Sequence, residues 1–477
     1  MLAPVPSTAK TPISALHQFP QGFLWGCATA AHQVEGGNTN DWWRWEQTPG
    51  HIHENQRSGG ACEWWQGRYE EDFDRAAAMN NNAQRISVEW SRVEPEPGRW
   101  DDYALEKYRA MLQALRARGM TPMVTLHHFT NPLWVADDDG WAWEGTPARF
   151  ATFARKVVSA LGDLCSLWCT INEPMIYVTL HYLFGERPPG LKNRGTAYRV
   201  FVNMVRGHTL AYHAIKEVQP TAQVGFANHN VHLRPRWGWL LNRLAVSIVD
   251  GFVNRAFMSA LHTGVAAMPG GGRTPIPNAK GALDWVGLQY YQAFDVGFNL
   301  FRPLSLFVEQ IKPTDIPTGP KAWGGLIPGA IFNEIANTYK LLGKPIYVTE
   351  AGVPDPTDTL RMGYLIETVR AMWKAVNFNY PVKGFFHWSL LDNFEWTEGF
   401  DPRFNFGLYQ TNFETQERTP RRSAKLYGEI CAANGLSSEI VANYAPELLA
   451  TLFPGEAGLK EVRLKPGGNR VQAQDAE

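Results

Sequence analysis

Residues 344–352 read KPIYVTEAG. Four β-favouring residues, Ile346 to Thr349, run directly into a carboxylate at Glu350, and the chain turns at Gly352. An ionised carboxylate at the end of an apolar strand is costly unless something uses it. The stretch predicts a buried strand that delivers a functional group at its C-terminal end, and it raises the question of a partner.

Seven further runs share its character: FLWGCATA (23–30), AQRISVEW (83–90), TPMVTLHH (121–128), SLWCTINEP (166–174), QVGFANHN (223–230), DWVGLQYY (284–291) and VKGFFHWSLLD (382–392). Continuous apolar runs of this length suit strands buried on both faces of a parallel sheet. Helical patterns separate them. Residues 101–118 place Leu105, Tyr108, Leu112 and Leu115 on one stripe and stop at Gly119. Residues 147–161 carry Phe150, Phe153, Val157 and Leu161 on one face, with Thr146 predicted as N-cap and Pro147 in the first turn.

Repeated β/α units without a G-x-G-x-x-G after the first strand favour an α/β fold of one (β/α)8 TIM barrel over a doubly wound sheet. Long βα loops would form the active-site mouth. The expected division is an N-terminal extension over 1–20, a catalytic barrel over 21–450 and a C-terminal tail over 451–477. Residues 265–283, rich in Gly and Pro, read as an irregular loop. Gly270 to Gly272 lack the Lys-Ser/Thr of a phosphate loop. Within the long segment 292–330, FNLFRPLSLF (298–307) reads either as packed core or as a lid and subunit contact. The last residues, from Glu461, are polar and expected to fray.

Composition removes several functions. The 45 basic and 46 acidic residues balance to a net charge of −1, which gives no footing for nucleic acid or a charged membrane surface. No apolar run reaches membrane-spanning length. The five cysteines are scattered and odd in number, so free buried thiols are expected in place of a disulfide framework. MLAPVPSTAK has no charged stretch followed by an apolar one, and a cytoplasmic location is expected. The His residues show no metal-ligand spacing, so no metal or other cofactor is expected. With 19 Trp, 16 Tyr and 25 Phe, the chain has aromatic faces for a large core or for the C–H face of a sugar.

A parallel barrel collects its chemistry at the C-terminal strand ends. Those ends offer Gln33, Glu35, Arg85, His127, His128, Asn172, Glu173, Gln289, Tyr290, Tyr291, Glu350 and Trp388. Glu173 closes the fourth strand as Glu350 closes the seventh, so the barrel would set them facing each other. One Glu at a strand end is explained by an ion pair with a loop Lys or Arg. Two, set among Asn, Arg, Tyr and Trp, match the needs of glycoside hydrolysis: one carboxyl protonates the leaving oxygen, and the other attacks the sugar or activates water.

FLWGCATAAHQVEGG (23–37), RISVEWSRVEPEPG (85–98), TINEP (170–174), DWVGLQYY (284–291), YVTEAG (347–352) and WSLLDNFEW (388–396) resemble, in order, the signature segments of glycoside hydrolase family 1, the retaining β-glucosidases. The resemblance runs from about residue 20 to RTPRRSAKLY (418–427). It implies Glu173 as general acid/base and Glu350 as nucleophile, with Arg85 and Tyr291 holding the nucleophile. The pKa of Glu173 would be raised, chiefly by the second carboxylate. The resemblance further implies Gln33, His128, Asn172, Glu395 and Trp396 as hydrogen-bonding partners of the sugar hydroxyls, and Trp388 as the platform beneath the ring. Trp323 would line the outer, aglycone side and Phe406 would close the glycone pocket, although PRFNFGL (402–408) is longer than the usual spacing. His127 reads as structural.

Three departures stand out. Gln289 replaces the family's usual Asn, Ala351 replaces the Asn that usually follows the nucleophile, and FTNP replaces WDLP after His128. Rival functions lose support from particular residues. Glu395 would repel the dianion of a phospho-β-glycoside, Glu173 excludes the simple thioglucosidase pattern, and a sugar-binding pseudo-enzyme would typically have lost one of the two carboxylates. The expected partners are small-molecule β-glucosides and oligosaccharides, with overlapping galactoside and fucoside turnover, since Glu395 would bridge the O4 and O6 hydroxyls. No nucleic acid or membrane partner is expected, and a homo-oligomer is compatible with the sequence.

Overall fold

The computed structural model describes residues 15–269, 271–301, 308–321 and 323–454. Its centre is a closed barrel of eight parallel strands. They are β1 (Leu24–Ala28), β2 (Ala83–Ser87), β3 (Thr121–His127), β4 (Leu167–Asn172), β5 (Gln223–Pro235), β6 (Trp285–Phe298), β7 (Ile346–Ala351) and β8 (Val382–His387). Each strand pairs with its sequence neighbours, and β8 closes the ring on β1 through Gly384↔Leu24 and His387↔Cys27. Every residue of β2 and β4 is buried, as expected for strands with side chains in the lumen on one face and under helices on the other.

The principal outer helices are α1 (Tyr69–Ala78), α2 (Asp102–Ala117), α3 (Thr146–Leu161), α4 (Arg194–Val218), α5 (Leu240–Val253), α6 (Ala256–Thr263), α7 (Ile331–Leu342), α8 (Leu360–Asn377) and α9 (Arg422–Ala433). Helix α2 shows how the sequence sets one of them. The Asp101 side chain caps it by accepting from the Ala104 N–H at 3.1 Å. Leu105, Tyr108, Leu112 and Leu115 are buried, each such side chain contributing about 1.5–3 kcal/mol. Gly119 then stops the helix at φ +73°.

Several expectations need correcting. Thr146 is the first residue of α3 and not its cap; Gly145 occupies that position without a side-chain bond, because the Thr146 hydroxyl donates to the Gly140 carbonyl instead. Residues 265–283 contain a short antiparallel ladder, Val265–Ala267 with Arg273–Pro275, fastened by Tyr198, whose hydroxyl donates to the Ala266 carbonyl and lies 2.9 Å from Thr274 Oγ1. Gly270 lies outside the described residues. Strands β5 and β6 run on past the barrel, pairing through Pro235↔Val296, and β6 then pairs antiparallel with Val308–Ile311. Of FNLFRPLSLF, residues 302–307 lie outside the described residues, and the described Phe301 is 95% exposed, which is not core. Leu16–Gln18, placed by the sequence in an extension, pairs antiparallel with Gly435–Ser437. The tail from Glu461 lies outside the described residues. All five cysteines are buried free thiols.

Close strand contact depends on small residues. A Cβ at Gly26 in β1 would lie 2.4 Å from the Ala83 carbonyl oxygen of β2 and 3.0 Å from the Phe386 ring of β8. Gly26→Ala is therefore expected to cost about 1–3 kcal/mol and lower the thermal unfolding midpoint, read by circular dichroism. An unchanged midpoint would mean that the ring can spread at this seam.

Candidate active site

Glu350, near the end of β7, is buried at the mouth with two donors on its carboxylate. Arg85 of β2 donates through Nη1 to Oε1, and the Tyr291 hydroxyl of β6 donates to Oε2 at 2.5 Å. β2 and β7 are not neighbours in the ring, so the Arg85–Glu350 ion pair crosses the lumen. Arg85 is held in turn by Thr125 of β3 through Nε at 3.1 Å and by Asn172 of β4 through Nη2 at 2.6 Å. The Gln289 amide donates to the same Asn172 oxygen at 2.8 Å. These side chains form one network spanning five strands, and Gln289 and Tyr291 share its face because strand residues two apart point the same way. Tyr290, between them, points outward and donates to the Ile327 carbonyl at 2.7 Å.

Burial pushes the Glu350 carboxyl up to about 7, against the Arg85 charge, and the Glu173 carboxylate adds to the rise. Glu173 follows β4 in a left-handed conformation, φ +45°, with its N–H donating to the Ala227 carbonyl of β5 at 2.8 Å. That conformation is uncommon for a residue with a side chain and marks a constrained position. His229 Nδ1 meets Glu173 Oε1 at 2.8 Å, and the His229 ring stacks on Tyr291 with centroids 5.6 Å apart. Sequence reading missed His229. Its signal was its place at the mouth end of the fifth run, QVGFANHN (223–230).

A second cluster lies close enough for the Glu350 charge to act on its Glu395. Gln33 donates to Asn393 at 3.0 Å, to the Phe394 carbonyl at 2.9 Å and to Glu395 at 3.4 Å. The His128 ring lies near-parallel to Trp388 and to Trp396, at 6.2 and 6.1 Å. Burial, then the Arg85 charge, drives His128 well below its usual range, so its ring is neutral. Burial pushes the Glu395 carboxyl up to about 8, with the Glu350 charge adding and Arg187 opposing. Trp323 and Phe406 pack on each other at 5.4 Å and edge-on to Tyr291 at 5.8 and 6.1 Å, forming an aromatic wall. Gln33 Oε1, Asn172 Nδ2 and Gln289 Oε1 are buried without a partner among the described residues, which suits a polyhydroxylated ligand better than a closed core.

Two strand-end residues leave the site. Glu35 turns to Arg92 at 2.8 Å and accepts from Tyr108 at 2.8 Å, so it is structural. His127 sits against Asn131 and Trp141, as expected of a structural histidine. Ala351 is fully buried, and its carbonyl accepts from the Trp388 N–H at 3.0 Å. Arg187, which the sequence reading passed over, lies over the Phe129 and Trp42 rings at 5.3 and 5.8 Å, where the charges of Glu173 and Glu395 act on it. Among the described residues no group of three or more His, Cys, Asp or Glu side chains could hold a metal ion.

The model of glycosyl hydrolase family 1 matches residues 15–268 and 276–436, which include every residue of this site. The chain belongs to glycosyl hydrolase family 1. It is 31% identical to a β-galactosidase of Pyrococcus woesei over 88% of this chain and 98% of that one. Its structure is similar to that of a β-glycosidase from Pyrococcus horikoshii, with a TM-score of 0.84, 32% identity and coverage of 94% and 100% of the two chains. It is also similar to a β-glucosidase from Thermotoga maritima in complex with glucoimidazole, with a TM-score of 0.80, 28% identity and coverage of 88% and 100%. The barrel is thus that of the family 1 β-glycosidases.

The two donors on Glu350 both favour its anion. Tyr291→Phe removes one, so the titration of Glu350 should move up. The carboxyl band, followed against pH by infrared difference spectroscopy with Glu350→Gln as blank, reads this directly. A titration that stays in place would show that the hydroxyl does not stabilise the anion.

Proposed function

We propose that this family 1 β-glycosidase is a retaining β-glucosidase acting on terminal non-reducing β-D-glucosyl residues, with β-galactosyl and β-fucosyl residues as further substrates. The observation that carries the reading is the unequal treatment of two carboxyls at one mouth. Glu350 is anchored by a buried guanidinium and a phenol, as a fixed anion requires, whereas Glu173 is held by one imidazole. The relatives above, a β-galactosidase and a β-glucosidase, support the substrate class.

In the first step a Glu350 oxygen attacks the anomeric carbon as the bond to the aglycone oxygen breaks, and Glu173 gives its proton to that departing oxygen. The products are a glycosyl ester on Glu350 and a free alcohol. The negative charge of Glu350 is then gone and that of Glu173 has appeared, so the Glu173 carboxylate, supported by Nδ1–H of His229, can take a proton from water. The water oxygen attacks the anomeric carbon, the ester bond breaks, and Glu350 leaves as carboxylate. Two inversions return the original configuration. In a retaining site the carboxyls lie roughly 5–5.5 Å apart, which leaves no room for an intervening water in the first step.

Gln33, His128, Asn172, Gln289, Glu395 and Trp396 would bind the glycone hydroxyls, above Trp388 as platform. The unpaired amide atoms of Gln33, Asn172 and Gln289 supply acceptors and a donor for that purpose. Trp323 would flank the aglycone, and Phe406 would close the wall beside Tyr291.

Glu350→Gly should lower kcat on an aryl β-glucoside by about 10⁴-fold or more, and azide should restore turnover as the α-glycosyl azide. Full activity in that variant would refute the assignment; a β-azide would refute the retaining geometry. Glu173→Ala should lower kcat/KM by about 10²–10⁴-fold on alkyl glucosides while sparing kcat/KM for substrates with a dinitrophenolate leaving group, which needs no proton in the first step. Equal losses on both would remove Glu173 from the acid's role. A panel of aryl β-glycosides then ranks glucose against galactose and fucose.

A further inference from the structure

The first turns of α5 are inverted relative to an ordinary surface helix. Asn242 and Ala245 are the buried side chains, while Leu240, Leu241 and Leu244 point outward, Leu240 at 82% exposure. Trp237 and Trp239, just before the helix, are each more than half exposed, and their rings pack on each other at 5.2 Å. The buried Asn242 explains the arrangement. Its amide donates to the Arg236 carbonyl, and its oxygen accepts from the Phe298 N–H at 2.8 Å, tying the helix to the outer end of β6. Two and three residues beyond Phe298, Leu300 and Phe301 are also exposed, at 69% and 95%. The result is one apolar rim, larger than scattered surface hydrophobics account for.

The charges on the helix side of this rim are of one sign, while Glu309 accepts from Asn299 at its other edge, at 3.1 Å. Residues 236–249 contain Arg236 and Arg243 and no acidic residue. Neither arginine forms an ion pair among the described residues, and the Arg236 guanidinium lies 4.1 Å from the Trp237 ring centre. Two indoles, three leucines and two guanidinium groups without an ion pair among the described residues make up the composition that seats a helix in the headgroup layer of a bilayer. Pairing of residues 236–249 with the same residues of a second copy about a two-fold axis would bring like charges together. No single helix among the described residues is long and apolar enough to cross a membrane, although α5 and α6, bent by 65°, reach that length and composition together.

We infer that this rim, formed by Trp237, Trp239, Leu240, Leu241 and Leu244 with Leu300 and Phe301, docks the protein on the anionic surface of a lipid bilayer, with Arg236 and Arg243 meeting the headgroups. The rim belongs to the mouth end of the barrel. The strand that leads to it, β5, carries His229 of the active site and ends at Pro235. Docking therefore sets the mouth at a fixed relation to the surface. The expectation of no membrane partner came from the charge of the whole chain and the absence of a spanning run, and neither average registers a local patch.

The test is flotation of the full chain with vesicles of phosphatidylcholine plus phosphatidylglycerol, against vesicles of phosphatidylcholine alone. The wild type should float with the anionic vesicles, and less so at high salt. Trp237→Ser with Trp239→Ser and Leu240→Ser should lower that partition about tenfold or more, at an unchanged thermal midpoint that shows intact folding. Arg236→Gln with Arg243→Gln, which leaves the apolar surface in place, should remove the salt dependence. The inference is overturned if the wild type stays behind with both vesicle types, or if the apolar variant floats as the wild type does. It is equally overturned if sedimentation velocity without vesicles shows a wild-type dimer that the apolar variant turns into a monomer, since a second copy then covers the rim.

Discussion

The contact on which the site depends is the ion pair between Arg85 and Glu350 across the barrel lumen. Both side chains are buried, and removing one partner of such a pair leaves an uncompensated charge at a cost of about 3–5 kcal/mol. The barrel tolerates it because every remaining arm of the guanidinium is used, by Thr125 and by Asn172. Asn172 then holds Gln289, and Glu350 holds Tyr291. A single buried cation thus orients polar side chains from β2, β3, β4, β6 and β7. The chemistry proposed for Glu350 draws on the same constraint, since an anion anchored on rigid strands loses little freedom on reaching its transition state.

The two faces of the mouth divide the work. On one side are the anchored carboxylate, Glu173 with His229, and the aromatic wall of Tyr291, Trp323 and Phe406. On the other are Gln33, His128, Glu395, Trp388 and Trp396, in which rings and amides alternate. Gln289 finds its account here, and Ala351 does not. Gln289 still reaches the Asn172 oxygen, so the longer amide is absorbed into the network. Ala351 is packed without exposure beside the Trp388 backbone, and nothing in the structure explains why a polar side chain is absent there.

Legibility followed the range of the forces involved. The eight strand runs and the face of α2 were readable because burial and alternation act over neighbouring residues. The Val265–Ala267 ladder was not, because three-residue strands among Gly and Pro are too short to show a period. The overrun of β5 and β6 escaped because His232 to Pro235, and Gln292, Phe294 and Asp295, are only half buried and break the continuous apolar run. Glu35 and Tyr290 stand at strand ends like the site residues, but one turns to Arg92 and the other faces outward by strand alternation.

The sequence by itself determined the barrel, the two carboxylates at strand ends, and the family, because those follow from local burial patterns and short motifs. Only the tertiary structure decided which groups meet. The Gln289–Asn172 bond, the His229–Glu173 contact and the outward leucines of α5 join or expose residues from separate β/α units. Their positions are set by closure of the ring and by one buried asparagine, long-range constraints that no single stretch of sequence contains.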